Sequence, residues 1–157
     1  MAAMCHVRAA VRDDIDAMVQ LQKAMALETE GLRLDEATLR RGMTVPFERE
    51  NLAQFYVVED AASGTVVAMM MTTQEWSEWR AGAVLWIQSV YVVPAWRRRG
   101  LFRMLYEHVR RVVQEDAHYQ GIRLYVERDN SDAMAVYQRL GMTVEHYNMM
   151  KWMKGDF

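Results

Sequence analysis

The stretch VPAWRRRGLFRMLY, residues 93–106, joins a strand-like pattern to a helix-like pattern. Pro94 ends a run rich in β-branched and aromatic residues, and apolar residues recur at helical spacing from Leu101 onwards. Three arginines and a glycine lie between the two patterns. The stretch therefore predicts a strand, a short loop and the start of a helix, in that order.

The predicted helix start is suited to an anion. The first N–H groups of a helix lack partners within the helix, and the helix dipole adds partial positive charge there. Gly100 lets a ligand approach the backbone closely, and the arginines at positions 97–99 add forked donors that suit phosphate oxygens. A solvated basic turn is the alternative, although cations are unfavourable at this helix end unless an anion lies nearby. The stretch therefore favours a phosphate-bearing ligand.

Length and composition favour a single folded domain over residues 1–157. The chain has 157 residues, of which 52% are hydrophobic, so it has enough apolar residues for a core. Its net charge of −2 argues against a protein that coats nucleic acid, although residues 97–111 hold six arginines and one acid. We therefore predict no nucleic-acid partner.

Cysteine content and hydropathy favour a cytoplasmic protein with no metal. Cys5 is the only cysteine, so neither an internal disulfide nor a zinc cluster is expected, and the histidines lack metal-ligand spacing. The opening residues MAAMCHVRAAVRDD lack the apolar centre of a signal peptide. No run reaches the roughly 18 apolar residues of a membrane span, so we predict no membrane partner.

The pattern along the chain predicts a mixed α/β domain. The first segment, CHVRAAV, is typical of a strand. Two helical patterns follow, RDDIDAMVQLQKAMALE and DEATLRRGM. Asp13 or Asp14 suits the start of the first helix, and Asp35 or Glu36 suits the start of the second. QFYVVED, TVVAMMMTTQEW and AVLWIQSVYVV read as strands, the last one central. A long helix, the strand GIRLYVER, the helix NSDAMAVYQRLG and a last strand or strand pair in MTVEHYNMMKWM follow.

A second stretch, LYVERDNSDAMAVYQRLGM at residues 124–142, predicts a strand, a capped helix and a glycine stop. Asn130 can be a simple helix cap, and Tyr137 can be a simple core aromatic. Taken with VYVVPAWRRRGLFRML at residues 90–105, however, the stretch resembles the GNAT superfamily of acyl-CoA-dependent N-acyltransferases. The positions that match the pattern of that superfamily are Val90, Val92, Pro94, Arg97, Gly100, Asn130, Ala133, Tyr137 and Gly141.

Two positions depart from the pattern of the superfamily. Phe102 stands where glycine or alanine is usual, and Met142 where phenylalanine is usual. The backbone N–H of Phe102 can still serve a phosphate if its ring points away. The resemblance implies a GNAT-like fold with a central, mostly antiparallel sheet of six to seven strands and about four helices, in the order β-α-α-β-β-β-α-β-α-β(β).

The resemblance also implies acetyl-CoA, or a related acyl-CoA, as co-substrate. Backbone groups of the strand end would pair with the pantetheine arm, and those of the helix start would hold the pyrophosphate. No metal is implied. The residues assigned to the co-substrate are Val90, Tyr91, Val92, Arg97, Arg98, Arg99, Gly100, Leu101, Phe102, Arg103, Asn130, Ala133 and Tyr137.

The implied reaction is direct attack of an amine on the thioester. A lysine-like amine has a pKa of about 10.4, so it must lose a proton before it reacts at neutral pH. Tyr137 is the candidate general acid for the departing thiolate, and Glu75 is the candidate general base, with surface solvation as the alternative for Glu75. Glu28, Trp76, Trp79 and Gln88 are the candidate contacts to the amine acceptor.

Two interpretations of function remain open at this point. One is an N-acetyltransferase for a primary amine of a small molecule, amino acid or peptide. The other is a non-catalytic acyl-CoA sensor or regulatory module, which would need the arginine loop but not Tyr137 or a base. A homodimer is common in such families, and the sequence shows no interface that would test it.

Overall fold

The computed structural model describes residues 4–49 and 51–155. The chain divides into two compact units, Met1–Tyr125 and Val126–Phe157. The first unit contains a sheet and three helices, and the second contains one helix.

The helices and strands follow the order that the sequence predicts as far as the fourth helix. Short 3₁₀ turns at Arg12–Asp14, Val45–Phe47 and Pro94–Trp96 lie between some of them. The elements are β1 (Cys5–Ala9), α1 (Ile15–Glu30), α2 (Glu36–Thr44), β2 (Gln54–Asp60), β3 (Val66–Ser77), β4 (Gly82–Val92), α3 (Leu101–Glu115), β5 (Tyr119–Leu124) and α4 (Ser131–Arg139).

The sheet has five strands among the described residues, in the order β1-β2-β3-β4-β5. The first three pairs are antiparallel, and β4 pairs with β5 in parallel, so the mixed α/β class and the mostly antiparallel sheet are confirmed. The prediction of six to seven strands is wrong. Residues 143–155 contain no strand. The physical reason is that their polar–apolar alternation fails twice, at Glu145–His146 and at Met149–Met150, and a strand also needs a paired edge.

Helices cover both faces of the sheet. Met18 and Val19 of α1 are fully buried against a face that includes Val57 and Met69. Tyr56 alternates with Val57, and its ring contacts His108 of α3 with centroids 5.1 Å apart. Because neighbouring strand residues point to opposite faces, α3 packs on the face opposite α1 and α2.

A partly buried ion-pair cluster fixes the start of α1. Asp14 occupies the N-cap position that the sequence predicts, but its side chain makes no cap bond to the helix. Its carboxylate instead accepts the Val11 N–H at 2.8 Å and two guanidinium bonds from Arg8 at 2.7 and 2.8 Å. Arg8 also donates to Glu59 of β2 at 2.7 and 2.9 Å. The cluster therefore ties α1 to the β1–β2 edge of the sheet.

Gly82 allows β5 to begin beside β4. A Cβ atom at this position would lie 2.5 Å from Cγ of Gln120 and 2.8 Å from the carbonyl oxygen of His118. The Ala83 N–H donates to the same carbonyl at 2.8 Å. A side chain at Gly82 would therefore disturb the first parallel contact between the two strands.

Candidate functional site

Strand β4 has one half that pairs on both sides and one half that pairs on one side only. Residues 83–87 pair with β5, whereas residues 88–92 pair only with β3 among the described strands. The register with β3 also shifts here, because Met71 pairs with Ser89 and Thr72 with Ile87, which leaves Gln88 as a bulge. We call residues 88–92 the open edge of β4. Its unpaired N–H and C=O groups can bind an extended ligand as a further strand would.

The open edge leads through the 3₁₀ turn Pro94–Trp96 to an uncapped helix start. Gly100 is the N-cap of α3, with φ of 80°, and makes no side-chain cap bond. The first turn of α3 has no acidic residue, and a Cβ atom at Gly100 would meet nothing within 4 Å. The first N–H groups of the helix are therefore suited to an anionic ligand.

Three of the four arginines around this turn leave the helix start open. Arg98 and Arg99 are exposed, and the Arg99 guanidinium lies over the Trp96 ring, 4.8 Å from its centroid. Arg103 is exposed and pairs with Glu107 at 2.7 Å, one turn along the same helix. The positive charges of these three arginines surround the start of α3. Cations are unfavourable at a helix N-terminus unless an anion binds there, so the arrangement favours an anionic ligand.

Arg97 is held differently, by the exposed Glu28 and the buried Tyr91. Its guanidinium forms two bonds to the Glu28 carboxylate, at 2.7 and 2.8 Å, and its Nε donates to the carbonyl of Val92 at 3.0 Å. The Tyr91 hydroxyl donates to Glu28 at 3.0 Å. The bond from Arg97 holds the pKa of Glu28 below its ordinary value. Arg97 thus connects the end of β4 to α1.

The ring of Phe102 packs on Tyr106, one turn further along α3, with centroids 6.2 Å apart. Phe102 is half-buried and Tyr106 is buried. The side chain that departs from the pattern of the superfamily therefore makes an aromatic contact along the helix.

Glu75 lies in a cluster formed by three neighbouring strands. Its carboxylate accepts the indole N–H of Trp86 and a guanidinium bond from Arg123 at 2.8 Å. The Arg123 guanidinium lies 5.9 Å from the Trp86 ring centroid, and Tyr125 packs on Trp86 with centroids 4.6 Å apart. Glu75 and Thr73 alternate with Met71 and Met69, so the cluster lies on the sheet face that packs against α1 and α2.

The other predicted acceptor contacts lie at two separate places. Gln88 is exposed, and its amide donates to the Thr73 hydroxyl at 2.8 Å. Trp76 and Trp79 are 61% and 89% exposed at the far end of the β3–β4 hairpin. Trp76 pairs with Ala83, five residues before Gln88. At about 3.3 Å per residue, this places the tryptophans about 16 Å along the strand from Gln88.

In the second unit, both ends of α4 are capped as the sequence predicts. The Asn130 side chain accepts the Ala133 N–H at 3.0 Å. Gly141 has φ of 91°, and the Met142 N–H donates to the carbonyl of Tyr137 at 3.0 Å, which forms a glycine-terminated helix end. Tyr137 is half-buried, and burial raises the pKa of its phenol.

A sequence profile described as the acetyltransferase (GNAT) family matches residues 15–142. The chain belongs to this family. A solved structure of a possible acetyltransferase from Clostridium difficile 630 is similar at 37% identity and a TM-score of 0.87, covering 98% of this chain and 99% of that one. No curated protein sequence matches significantly.

Two further GNAT-like structures share the fold at low identity. A probable acetyltransferase has 16% identity and a TM-score of 0.84, covering 97% of this chain and 99% of that one. An aminoglycoside N-acetyltransferase, AAC(6′)-Iy in complex with CoA, has 12% identity and a TM-score of 0.78, covering 99% and 98%. The family match and the 37% identical structure make this chain an acetyltransferase by family, and acetyl-CoA is the acetyl donor of that family.

The residues of this GNAT chain fit such a co-substrate. The open edge of β4, the left-handed Gly100 and the exposed Arg98 and Arg99 lie in one continuous segment of the chain. Among the described residues, no group of three or more His, Cys, Asp or Glu side chains could hold a metal ion. No helix within the same described ranges is long and apolar enough to cross a bilayer.

Sequence reasoning missed two members of the Glu75 cluster. Arg123 and Tyr125 lie on and just after β5, about fifty residues from Glu75, and neither belongs to a motif. The register of a parallel pair decides which of their side chains face Trp86, and local sequence patterns do not encode that register.

Proposed function

We propose that the protein transfers an acetyl group from acetyl-CoA to a primary amine of a small molecule, an amino acid or a peptide. The supporting observation is the continuous segment that runs from the open edge of β4 to the uncapped start of α3. We further propose that residues 1–157 act as one N-acetyltransferase domain, because the family match spans residues of both units. We propose the cytoplasm as the place where it acts.

On the donor side, backbone groups do most of the binding in this proposal. The edges of Val90, Tyr91 and Val92 pair with the pantetheine arm, and the N–H groups of Leu101, Phe102 and Arg103 hold the pyrophosphate. Arg98, Arg99 and Arg103 supply positive charge, and Gly100 leaves the approach clear. Arg97 acts by positioning, since Glu28 and Val92 already occupy its guanidinium. Asn130 and Ala133 contribute from the start of α4.

Acetyl-CoA supplies the activated acetyl thioester, and the chain supplies the proton transfers. Tyr137 Oη is proposed as the proton donor to the departing thiolate. The raised pKa of this phenol keeps it protonated at neutral pH, which a general acid requires. The position of Tyr137 in the family pattern carries the assignment.

On the acceptor side, Glu75 is proposed as the general base, acting through a water molecule. Arg123 and Trp86 hold its carboxylate on the face that also carries the bulge at Gln88. Glu28 and Gln88 are proposed to border the acceptor. Trp76 and Trp79 would reach only an elongated acceptor, because they lie at the hairpin end.

The acceptor class draws limited support from structures of the same fold. One such structure, at 12% identity, is an aminoglycoside acetyltransferase in complex with sisomicin. We therefore include aminoglycosides beside amino acids, polyamines and peptides in the set of amines to test. The competing function is an acyl-CoA sensor without turnover, and a homodimer is compatible with either function.

The donor site is tested with Gly100→Asp. The variant adds a carboxylate where the pyrophosphate is proposed to bind, so we expect acetyl-CoA affinity to fall about 100-fold, measured by calorimetric titration. Gly64→Asp is the matched control, because Gly64 also has a positive φ, of 69°, and open space around it, but lies in the β2–β3 turn. Equal affinity in both variants, or no binding of acetyl-CoA by the unchanged protein, would reject the proposal.

The catalytic proposal is tested with Tyr137→Phe and a thiol-release assay over the amine set. We expect kcat to fall about 100-fold while the Kd for acetyl-CoA stays within twofold, because the variant removes only the hydroxyl group that would donate the proton. Tyr147→Phe, at an exposed tyrosine of the same unit, serves as the control and should leave both quantities within twofold. Binding of acetyl-CoA without thiol release for any amine would favour the sensor.

The role of Glu75 is tested with Glu75→Gln, which keeps the shape of the side chain. We expect kcat/KM for the amine to fall at least about tenfold near neutral pH and to recover partly as pH rises, because the amine then loses its proton without a base. Glu78→Gln is the control on the same hairpin. A pH profile unchanged by Glu75→Gln would remove Glu75 from the mechanism.

A further inference from the structure

A carboxylate and a guanidinium lie in direct contact on two strands of the first unit. Oε1 of Glu75, on β3, accepts a hydrogen bond from Nη1 of Arg123, on β5, at 2.8 Å. The side chain of Glu75 is 39% exposed, and that of Arg123 is 42% exposed. Both charged groups are therefore open to a ligand from solvent. We call them the Glu75–Arg123 pair.

Neither group of the pair has used its full capacity for hydrogen bonds. The other carboxylate oxygen of Glu75 accepts the indole N–H of Trp86, and each carboxylate oxygen can accept a further bond. Among the described residues, the guanidinium of Arg123 donates one hydrogen bond, to Glu75, so its other N–H donors remain for a ligand. The pair can therefore bind a positive group at Glu75 and a negative group at Arg123 at the same time.

The Glu75–Arg123 pair lies beside the proposed place of acetyl transfer. Arg123 is the direct partner of Trp86 in the parallel pairing of β4 and β5, so their side chains share the sheet face that carries Glu75. Trp86 precedes the bulge at Gln88 by two residues, or about 7 Å along the strand. An amine bound at the pair can therefore reach a thioester on the open edge of β4.

Arginines balance the charge of both carboxylates that are proposed for the acceptor side. Arg123 pairs with Glu75, and Arg97 makes two bonds to Glu28, at 2.7 and 2.8 Å. A polycationic amine would gain no excess negative charge from these two ion pairs and would be repelled by their arginines. A zwitterion carries one charge of each sign and finds a partner for both. Charge complementarity therefore favours a zwitterionic acceptor over a polyamine or an aminoglycoside.

An aromatic surface adjoins the pair. The ring of Tyr125 packs on that of Trp86 with centroids 4.6 Å apart, and Tyr125 is 55% exposed. The Arg123 guanidinium lies 5.9 Å from the Trp86 ring centroid, so the rings and the charged pair are neighbours. An apolar or aromatic side chain of a ligand held at the pair can cover the exposed ring and remove its apolar surface from water.

We propose that the acceptor is a free α-amino acid with an apolar or aromatic side chain, whose carboxylate binds Arg123 and whose amino group is directed to Glu75. The forked donors of arginine suit a carboxylate. A single carbon atom joins the amino group and the carboxylate of an α-amino acid, which matches two protein groups in direct contact. This inference rests on the proposed acetyl transfer and selects one acceptor class from the amines proposed above.

In the transfer, the α-ammonium group of the amino acid first loses one proton to Glu75 through water. The amine nitrogen then forms a bond to the acetyl carbon while the bond from that carbon to sulfur breaks. Tyr137 protonates the departing thiolate, and the second amine proton restores the phenol. Glu75 releases its proton to solvent, so the products are an N-acetyl amino acid, CoA and one proton.

The test is a thiol-release assay on the full chain with matched amines. L-phenylalanine, L-phenylalaninamide and phenethylamine share a side chain, but the last two lack the carboxylate, and spermidine and sisomicin are the polycationic probes. We expect kcat/KM for L-phenylalanine to exceed that for every other amine at least about tenfold. A smaller advantage, or preferred turnover of a polycation, would overturn this inference while acetyl transfer stands. Binding of acetyl-CoA without thiol release for any amine would reject acetyl transfer itself, and this inference with it.

The variant Arg123→Gln separates recognition of the carboxylate from support of Glu75. We expect the ratio of kcat/KM for L-phenylalanine to that for phenethylamine to fall at least about tenfold, because only the amino acid loses a partner. An unchanged Kd for acetyl-CoA shows that the variant is folded. Arg12→Gln is the matched control, because Arg12 is also an exposed arginine paired with a glutamate, Glu48, and should leave the ratio unchanged. An equal loss for both amines would show that Arg123 only holds Glu75 and would refute the assignment.

The variant Tyr125→Ala tests the aromatic surface. We expect kcat/KM for L-phenylalanine to fall about fivefold and that for L-alanine to change less than about twofold, because the methyl group of alanine is too small to cover the rings. Tyr147→Ala, at an exposed tyrosine of the second unit, is the control. Equal changes for the two amino acids would overturn the preference for apolar and aromatic side chains.

Discussion

Two arginine–carboxylate clusters of the first unit differ in burial. In the Arg8–Asp14–Glu59 cluster, the side chain of Asp14 is 9% exposed and that of Arg8 is 30% exposed. In the Arg97–Glu28–Tyr91 cluster, the side chains of Arg97 and Glu28 are 41% and 44% exposed. Both clusters use bidentate pairing of arginine with a carboxylate.

The difference separates a structural role from a positioning role. Removing a carboxylate costs more stability where the ion pair is more buried, whereas an exposed pair contributes little to stability. The Asp14 cluster therefore maintains the fold at the start of α1. The Glu28 cluster instead holds Arg97 against the carbonyl of Val92, at the end of the open edge.

The largest effect is expected from Asp14→Asn. The variant removes the most buried carboxylate of the cluster, although Arg8 keeps its bonds to Glu59, so the free energy of unfolding should fall by about 1–3 kcal/mol and Tm by roughly 2–12 °C. Asp16→Asn is the control, because Asp16 is an exposed acid on the same helix, and should change stability by less than about 0.5 kcal/mol. Equal losses in the two variants would show that the burial of Asp14 does not determine its contribution to stability.

A second prediction concerns how the stability of the fold changes as pH falls. The hydrogen bonds from Arg8 hold the pKa of Asp14 below its ordinary value in the folded protein. The contribution of Asp14 is then fully present above its unfolded pKa of about 3.9 and is lost as pH falls through the lower folded value. The stability difference between the unchanged protein and Asp14→Asn should therefore shrink from pH 7 to pH 2, as measured by urea unfolding. A constant difference would contradict the assignment.

The smallest effect on stability is expected from Glu28→Gln. The free energy of unfolding should change by less than about 1 kcal/mol, because the pair is exposed. The KM for acetyl-CoA should nevertheless rise about three- to tenfold, because Arg97 loses the partner that fixes it beside Val92. Glu30→Gln, two residues along α1, is the control. An unchanged KM would make this cluster a surface ion pair without a function.

Local patterns predicted most of the fold. Helical spacing and cap residues identified the four helices of the described residues, including the Asp35 cap that accepts the Thr38 N–H at 2.8 Å and the glycine end of α4. The long apolar run of β4 correctly indicated a strand with neighbours on both sides. These features depend on residues close together in the chain, which is why sequence reasoning reached them.

Features that depend on distant pairing were not predictable. The contact between Glu28 and Arg97 joins residues 69 positions apart, and no local pattern indicates it. The bulge at Gln88 and the end of β5 pairing follow from sheet register, which is set across strands. The extra strands expected after α4 failed for a local reason instead, because the polar–apolar alternation of residues 143–155 breaks twice.

The β3–β4 hairpin also has a consequence for variation in length. Its tip, residues 78–81, is a short turn that carries the most exposed tryptophan and lies far from the loop between Pro94 and Gly100. Insertions are tolerated at exposed loop tips and seldom at segments that fix two elements against each other. Related chains can therefore lengthen this tip while the segment from Pro94 to Gly100 keeps its dimensions.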